Sequence, residues 1–176
     1  SSTNPEPNNT VSPFSNNTLY NTCSDRAGGG GASAVRIMSI QVESLSERGF
    51  IQPGKNIKVT VRALARDNSQ RIDIFYTDNA GVNPPTFTYL GSYGRDCSSN
   101  GWTDPAVVSR FCRRSGNEVT IIFIMTLPSI PAVPRKMAIR ARIQNSNAWQ
   151  TAPCYTGSTI YDHDDLVFTV QDPPSS

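Results

Sequence analysis

A dense polar segment near the carboxyl end of the chain carries the residue types best suited to chemistry. Asp162, Asp164 and Asp165 surround the single histidine, His163, and an apolar run follows from Leu166. Carboxylates this close repel one another, so folding should bring a cation, an arginine or backbone N–H groups beside them. Because carboxylate oxygens are the ligands that calcium prefers, these three aspartates are candidate ligands of a calcium ion held in an irregular loop.

A second interpretation of the aspartates needs no metal. They would then cap turns or pair across a sheet with Arg140 or Arg142, because arginine and carboxylate form strong charge-assisted hydrogen bonds. An EF-hand does not fit, since Val167 stands at the sixth position counted from Asp162, where that loop needs glycine. Direct contact between this loop and a ligand is a third possibility.

Catalytic chemistry finds little support in the residue inventory. A lone His163 does not build the usual histidine-rich metal centre, and no Gly-x-Ser-x-Gly elbow supplies it with a serine nucleophile. A glycosidase needs two carboxyl groups on opposite sides of a sugar bond, a geometry that neighbouring aspartates seldom reach. We therefore predict that the protein is not an enzyme.

Aromatic residues in or beside predicted loops are candidates for ligand contact, because flat rings stack on sugars or anchor protein partners. The loop around Trp149 and Tyr155 is the best candidate, and Tyr161 and Trp102 are the others. Packing within the loops is the alternative for each of them.

Three arginines form a second candidate surface. Arg110, Arg113 and Arg114 cluster around Cys112 within a predicted loop over residues 95–117. Such a group attracts acidic polysaccharide or an acidic protein face, and a solvated loop is the alternative.

The four cysteines lack the close Cys-x-x-Cys spacing of a zinc site and favour disulfides. We predict one bond between Cys97 and Cys112 and a second between Cys23 and Cys154, with four reduced thiols as the alternative. Glycosylation sequons begin at Asn8 and Asn16. Disulfides and N-glycans both belong to the secretory route, so the chain is expected to be secreted.

The elements that must position these residues are short strands. Hydrophobic residues make up 37% of the chain and charged residues 17%, below the roughly 45–50% and 25% of average domains. Runs spaced like sandwich strands cover residues 35–43, 56–64, 71–77, 87–92, 118–127, 136–144 and 166–171. We predict an all-β, two-sheet antiparallel sandwich of the immunoglobulin-like or jelly-roll-like kind.

Local patterns refine this prediction. Apolar residues occupy every second position over 57–64 and again over 137–144, which places one set inside. Residues 119–125 are almost wholly apolar, as expected of a central strand covered on both faces. Gln52-Pro53-Gly54-Lys55 predicts a type II turn joining the first two core strands.

The chain divides into a polar tail or arm over 1–34 that ends in the glycine run 28–31, the sandwich over 35–172, and a short tail over 173–176. A net charge of +2 is too mild to indicate nucleic-acid binding. The longest apolar run, near residues 119–127, falls far short of the ~20 residues that cross a bilayer.

The carboxyl-terminal segment contains, in order, Cys154, Gly157-Ser158, Tyr161, Asp162, Asp164, Asp165 and Leu166, followed by an alternating strand. This ending resembles that of accessory C-terminal β-sandwich modules attached to secreted bacterial peptidases and related surface proteins. The likeness extends more weakly to residues 57–63, 73–76 and 87–91. It implies a non-catalytic appendage outside the cell. The loop over 95–117 and the long tail depart from the pattern and leave other origins open.

Together these observations predict a binding or adhesion module for an extracellular glycan or a surface protein. The alternative is a structural subunit of an extracellular filament or sheath. In that case the tail 1–34 would add a strand to the next copy and so satisfy an exposed sheet edge.

Overall fold

The computed structural model describes residues 10–12, 26–27, 35–46, 49–82, 84–129, 133–145, 149, 151–154 and 161–172. Eleven strands lie in these ranges. They are β1 (Thr10–Ser12), β2 (Arg26–Ala27), β3 (Arg36–Ser44), β4 (Asn56–Leu64), β5 (Gln70–Thr77), β6 (Thr88–Gly94), β7 (Ser99–Gly101), β8 (Val107–Ser115), β9 (Glu118–Thr126), β10 (Arg135–Asn145) and β11 (Tyr161–Val170). Within the described ranges no helix is long and apolar enough to cross a membrane.

The strands form two sheets packed face to face, which confirms the predicted sandwich. Sheet A has the order β1-β3-β4-β9-β8, and sheet B has the order β2-β11-β10-β5-β6-β7. Neighbours are antiparallel except for β1, which pairs in parallel with β3. The turn at Gln52–Lys55 joins β3 to β4 as predicted, with Gly54 at a φ of 72° and the Lys55 N–H donating to the Gln52 carbonyl.

The core between the sheets follows the two-residue period. Ile57, Val59 and Val61 of β4 are fully buried, and their polar neighbours face outward. Residues 119–125 were expected in a central strand, and β9 is an interior strand that lies between β4, the middle strand, and the edge strand β8. The prediction that both faces of this strand are covered was wrong. Val119, Ile121 and Phe123 are buried, whereas the alternate residues Ile122 and Ile124 are half exposed.

In β10 the prediction that only one set of residues is inside was wrong. Ile139, Ala141 and Ile143 enter the core as expected, yet Arg140 and Arg142 on the opposite face are also buried. Carbonyl groups from residues 151–154 lie against these two arginines and shield them from water. Sheet B is therefore covered on both faces along this strand.

Residues 95–117, predicted as a loop, instead contain β7 and β8. Glu118 pairs with Ser115 across the two-residue hairpin turn Gly116-Asn117, in which Gly116 has a φ of 61°. A two-residue loop of this kind needs a residue that tolerates positive φ, which glycine does without steric cost.

Parts of the polar tail also pair with the sandwich. β1 lies beside residues 41–43 of β3 at the edge of sheet A, and β2 lies beside Tyr161 and Asp162 of β11 at the edge of sheet B. The segment predicted as a tail or arm therefore supplies a short edge strand to each sheet.

Candidate functional site

The predicted calcium ligands lie in a strand rather than in a loop before it. β11 begins at Tyr161, so Asp162, Asp164 and Asp165 are all strand residues and the expected start at Leu166 was wrong. Successive side chains of a strand point to opposite faces. Asp162 and Asp164 therefore share the face of the core residue Leu166, and Asp165 shares the opposite face with His163.

The aspartates on the two faces of β11 have different hydrogen-bond partners. On the core side, Oδ2 of Asp162 accepts a hydrogen bond of 2.8 Å from the backbone N–H of Ile37. On the outer side, Asp165 accepts from Nε of Arg140 at 2.7 Å and from its Nη2 at 3.1 Å. This last pair is the cross-sheet pairing that the sequence offered as the alternative to a metal.

The three carboxylates thus do not converge on one point, because Asp165 faces away from Asp162 and Asp164 and both of its oxygens accept from Arg140. Among the residues that the structure describes, no group of three or more His, Cys, Asp or Glu side chains is placed to hold a metal ion. Calcium binding by this segment stays a prediction.

A second buried ion pair continues the polar layer on the outer face of sheet B. Arg142 donates to Oδ2 of Asp73 from Nε at 2.9 Å and from Nη2 at 2.7 Å, and neither side chain is exposed. Burial raises the pKa of the Asp73 carboxyl above its ordinary value, and the neighbouring Arg142 guanidinium opposes that shift. The Ser92 hydroxyl also donates to Asp73.

Aromatic rings and loop carbonyls complete this layer. The guanidinium of Arg140 lies 4.0 Å from the ring centre of Phe87, and that of Arg142 lies 5.1 Å from the ring centre of Phe75. Arg140 also donates to the Pro153 carbonyl. The two ion pairs, Arg140 with Asp165 and Arg142 with Asp73, are therefore buried and held by fixed partners. Such an arrangement is typical of a network that stabilises the fold.

The loop predicted as the best contact surface is built into this layer. Trp149 is half-buried, and the guanidinium of Arg71 lies 4.0 Å from the centre of its ring. Tyr155 lies outside the described residues, and Tyr161 is a residue of β11 beside Ala27. Ligand contact by these three residues stays a prediction.

Trp102, the fourth aromatic candidate, packs inside the fold. Its ring lies 5.4 Å from that of Tyr93 and 5.5 Å from that of Phe123, and its Nε1–H donates to the Ser92 carbonyl at 3.1 Å. A Cβ on Gly91 would overlap the indole ring. These contacts are the packing role that the sequence offered as the alternative.

Of the two predicted disulfides, the bond between Cys97 and Cys112 is confirmed, with an S–S distance of 2.06 Å. Cys97 lies in the turn between β6 and β7 of sheet B, and Cys112 lies in β8 of sheet A, so the bond joins the two sheets. Cys154 is also disulfide-bonded. Its predicted partner Cys23 and the sequon residues Asn8 and Asn16 lie outside the described residues.

Among the strands whose burial the structure describes, β8 is the most exposed. Seven of its nine residues are exposed, among them two large apolar side chains, Val108 at 59% and Phe111 at 55%. The strand also carries Arg110, Arg113 and Arg114, and no acidic residue lies between 107 and 115. We call this strand and its exposed side chains the β8 flank.

Contacts with sheet B hold the β8 flank in place. Arg110 donates to the Tyr93 hydroxyl at 2.7 Å, and its guanidinium lies 5.7 Å from the ring centre of Trp102. The Cys97–Cys112 bond ties the middle of the strand to sheet B. The sequence singled out the three arginines and missed the strand that presents them. The Gly116-Asn117 pair was the available signal, because Gly-Asn between two strands indicates a hairpin.

Comparisons with known proteins add no relative. No protein-family model and no curated protein matches this chain. The resemblance of the carboxyl-terminal segment to peptidase accessory modules therefore stays a prediction.

Proposed function

We propose that this chain is a non-catalytic extracellular binding or adhesion module and that the β8 flank is its contact surface. The observation that carries the proposal is the exposure of Val108 and Phe111, at 59% and 55%, beside three arginines on the same strand. Large exposed apolar side chains close to arginine are typical of protein interaction sites. A strand that only shielded the core would not need them.

Charge defines the class of partner. Arg110, Arg113 and Arg114 give the β8 flank a local charge of +3, while the whole chain carries only +2. The rest of the chain therefore carries a net charge of −1. A positive field like that of the β8 flank raises the encounter rate of anionic partners and disfavours basic ones. The proposed ligand is therefore anionic.

Two features support the non-catalytic and extracellular parts of the proposal. The single histidine, His163, is fully buried and lies opposite Arg142 in the sheet, where it does not reach solvent. The Cys97–Cys112 bond suits an oxidising compartment such as the outside of the cell.

One observation favours the alternative of a filament or sheath subunit. Thr10–Ser12 and Arg26–Ala27 pair with sheet edges, which is the kind of contact that strand addition between copies requires. The partner edges are those of the same chain. Sedimentation at several concentrations separates the two functions, because a binding module stays monomeric and a subunit polymerises.

Retention on two immobilised anionic polymers, heparin and polyglutamate, tests the proposed surface. The protein should bind at least one of them and elute with added salt, since salt screens exposed charges. The double variant Arg113→Glu with Arg114→Glu should lose retention. The matched control, Arg66→Glu with Lys136→Glu, changes the net charge equally at two exposed sites outside β8 and should keep it. Equal loss in both variants would refute the β8 flank as the contact surface.

A further inference from the structure

One edge of β8 is paired with β9, and in the part of the chain that the structure describes the opposite edge is open to a further strand. Of the described residues, only those of β9 pair with Val107–Ser115, and β8 ends sheet A. The N–H and C=O groups on the far side of an edge strand have no ladder partner. Protected edges are usually very short or covered, whereas β8 runs for nine residues and is exposed along most of them. It can therefore template another strand.

We infer that the ligand of the β8 flank is an extended acidic segment of another protein, which adds to β8 as a further strand of sheet A. This inference rests on the proposed function and names the partner of the same surface. Backbone hydrogen bonds would supply affinity, and the side chains of β8 would select the sequence.

The arginines are placed for a partner that runs along the strand. Arg110 and Arg114 lie opposite Phe123 and Val119, whose side chains enter the core, so these two arginines share the inner face. Arg113 lies opposite Thr120 and faces outward. A neighbouring strand alternates in the same way and can place acidic side chains beside both sets.

An acidic glycan fits this arrangement less well. A chain lying on either face would reach Arg113 or the pair Arg110 and Arg114, because the sheet separates the two sets. On the outer face Phe111 lies opposite Ile122, so an apolar pair occupies the place next to Arg113. An apolar contact of that kind suits a peptide side chain, which can alternate apolar and acidic groups.

A second copy of this chain fits less well again. Pairing β8 with β8 would bring six arginines, three from each strand, into one ladder without a compensating acid. Like charges on adjacent strands destabilise the pair. The same arginines that attract an acidic strand therefore keep two copies of the edge apart.

Rigidity favours the addition of a strand. The Cys97–Cys112 bond and the hydrogen bond from Arg110 to the Tyr93 hydroxyl fix β8 before a partner arrives. The conformational entropy lost on binding is then mainly that of the partner segment, since the template is already in the bound conformation.

The inference is tested by measuring, with fluorescence anisotropy, how tightly two synthetic peptides bind to the full-length chain. The first has nine residues, the length of β8, with pairs of glutamate alternating with pairs of valine so that both faces carry acid. The second replaces each valine with proline, which keeps the charge but removes backbone N–H donors. The proline peptide should bind at least tenfold more weakly. Binding of the valine peptide should slow hydrogen exchange of amides in β8.

The charge variants complete the test. Reversing Arg113 and Arg114 to glutamate should weaken valine-peptide binding roughly tenfold or more, because each exposed pair changes from attraction to repulsion. Reversing Arg66 and Lys136 should change it less than about twofold. Thermal melts of all variants check that they fold.

The outcomes separate the inference from the function it rests on. Equal binding of both peptides without amide protection in β8 overturns strand addition and leaves an anion-binding flank. Heparin binding through Arg113 and Arg114 with no peptide binding overturns the peptide ligand and leaves a glycan module. If heparin, polyglutamate and both peptides all fail to bind, the proposed function falls together with the inference.

Discussion

Removing one partner of the buried pair between Arg142 and Asp73 should destabilise the fold severely. Neither side chain is exposed, and two N–O contacts of 2.9 and 2.7 Å join them. Arg142→Met leaves the carboxylate of Asp73 buried without its counter-charge. Breaking a buried pair in this way costs about 3–5 kcal/mol. The guanidinium also donates to the Ala152 carbonyl, and the loss of that bond adds about 1 kcal/mol.

The chain offers a matched control at the surface. Arg62 pairs with Glu118 at 2.6 Å, but these side chains are 43% and 34% exposed. Arg62→Met makes the same change of side chain and should cost no more than about 1 kcal/mol, because exposed pairs contribute little. Urea titrations of both variants, compared at unchanged m-values, measure the two costs.

The cost of Arg142→Met should also depend on pH. Burial raises the pKa of Asp73, and without Arg142 its strongest opposing influence is gone, leaving only hydrogen bonds such as that from the Ser92 hydroxyl. A carboxyl with a raised pKa binds its proton more tightly in the folded protein than in the unfolded chain. The loss of stability is therefore absent below the pKa of Asp73 in the unfolded chain, about 3.9. It grows as the pH rises from there through the pKa of Asp73 in the folded protein. The deficit relative to wild type should shrink as the pH falls from neutrality.

The double variant Asp73→Leu with Arg142→Met provides a further check. It removes both charges, so it should recover part of the stability lost by Arg142→Met alone. The reasoning is refuted if Arg142→Met costs no more than Arg62→Met, or if its deficit stays constant with pH.

Three further predictions follow from other contacts. Replacing Cys97 and Cys112 by serine should lower the free energy of unfolding by about 3 kcal/mol and speed hydrogen exchange in β8; unchanged exchange would show that the bond does not hold the strand. Gly91→Ala should lower the free energy of unfolding by about 1–3 kcal/mol, because the added Cβ overlaps the ring of Trp102. Gly81→Ala, on an exposed turn, should change it by no more than about 0.5 kcal/mol when both variants are measured by urea titration. Calcium at about one hundred times its dissociation constant should stabilise the fold by roughly 2.7 kcal/mol if Asp162 and Asp164 bind it, and identical melting curves in calcium and chelator would exclude that site.

Where burial and local sequence agree, the fold could be predicted closely. β4 has the predicted bounds because Ile57, Val59 and Val61 alternate with polar residues next to a strong turn at Pro53 and Gly54. One face meets the core and the other meets water, and that contrast is what a two-residue period records.

β8 and the start of β11 escaped prediction for opposite reasons. β8 is exposed on both faces, so burial imposes no period on its sequence, and a hairpin and a disulfide hold it instead. The first residues of β11 are polar and yet buried. Asp165 is neutralised by Arg140, which lies 25 residues away in the chain. A pairing at that distance leaves no local pattern, although the sequence did name Arg140 as a possible partner.

The disulfide between the two sheets determines how the β8 flank would respond to a pulling force. An edge strand held only by its ladder to β9 would peel away one hydrogen bond at a time under tension. Cys112 lies near the middle of β8, and its bond to Cys97 would carry tension directly into sheet B. Both layers of the sandwich would then resist the pull together.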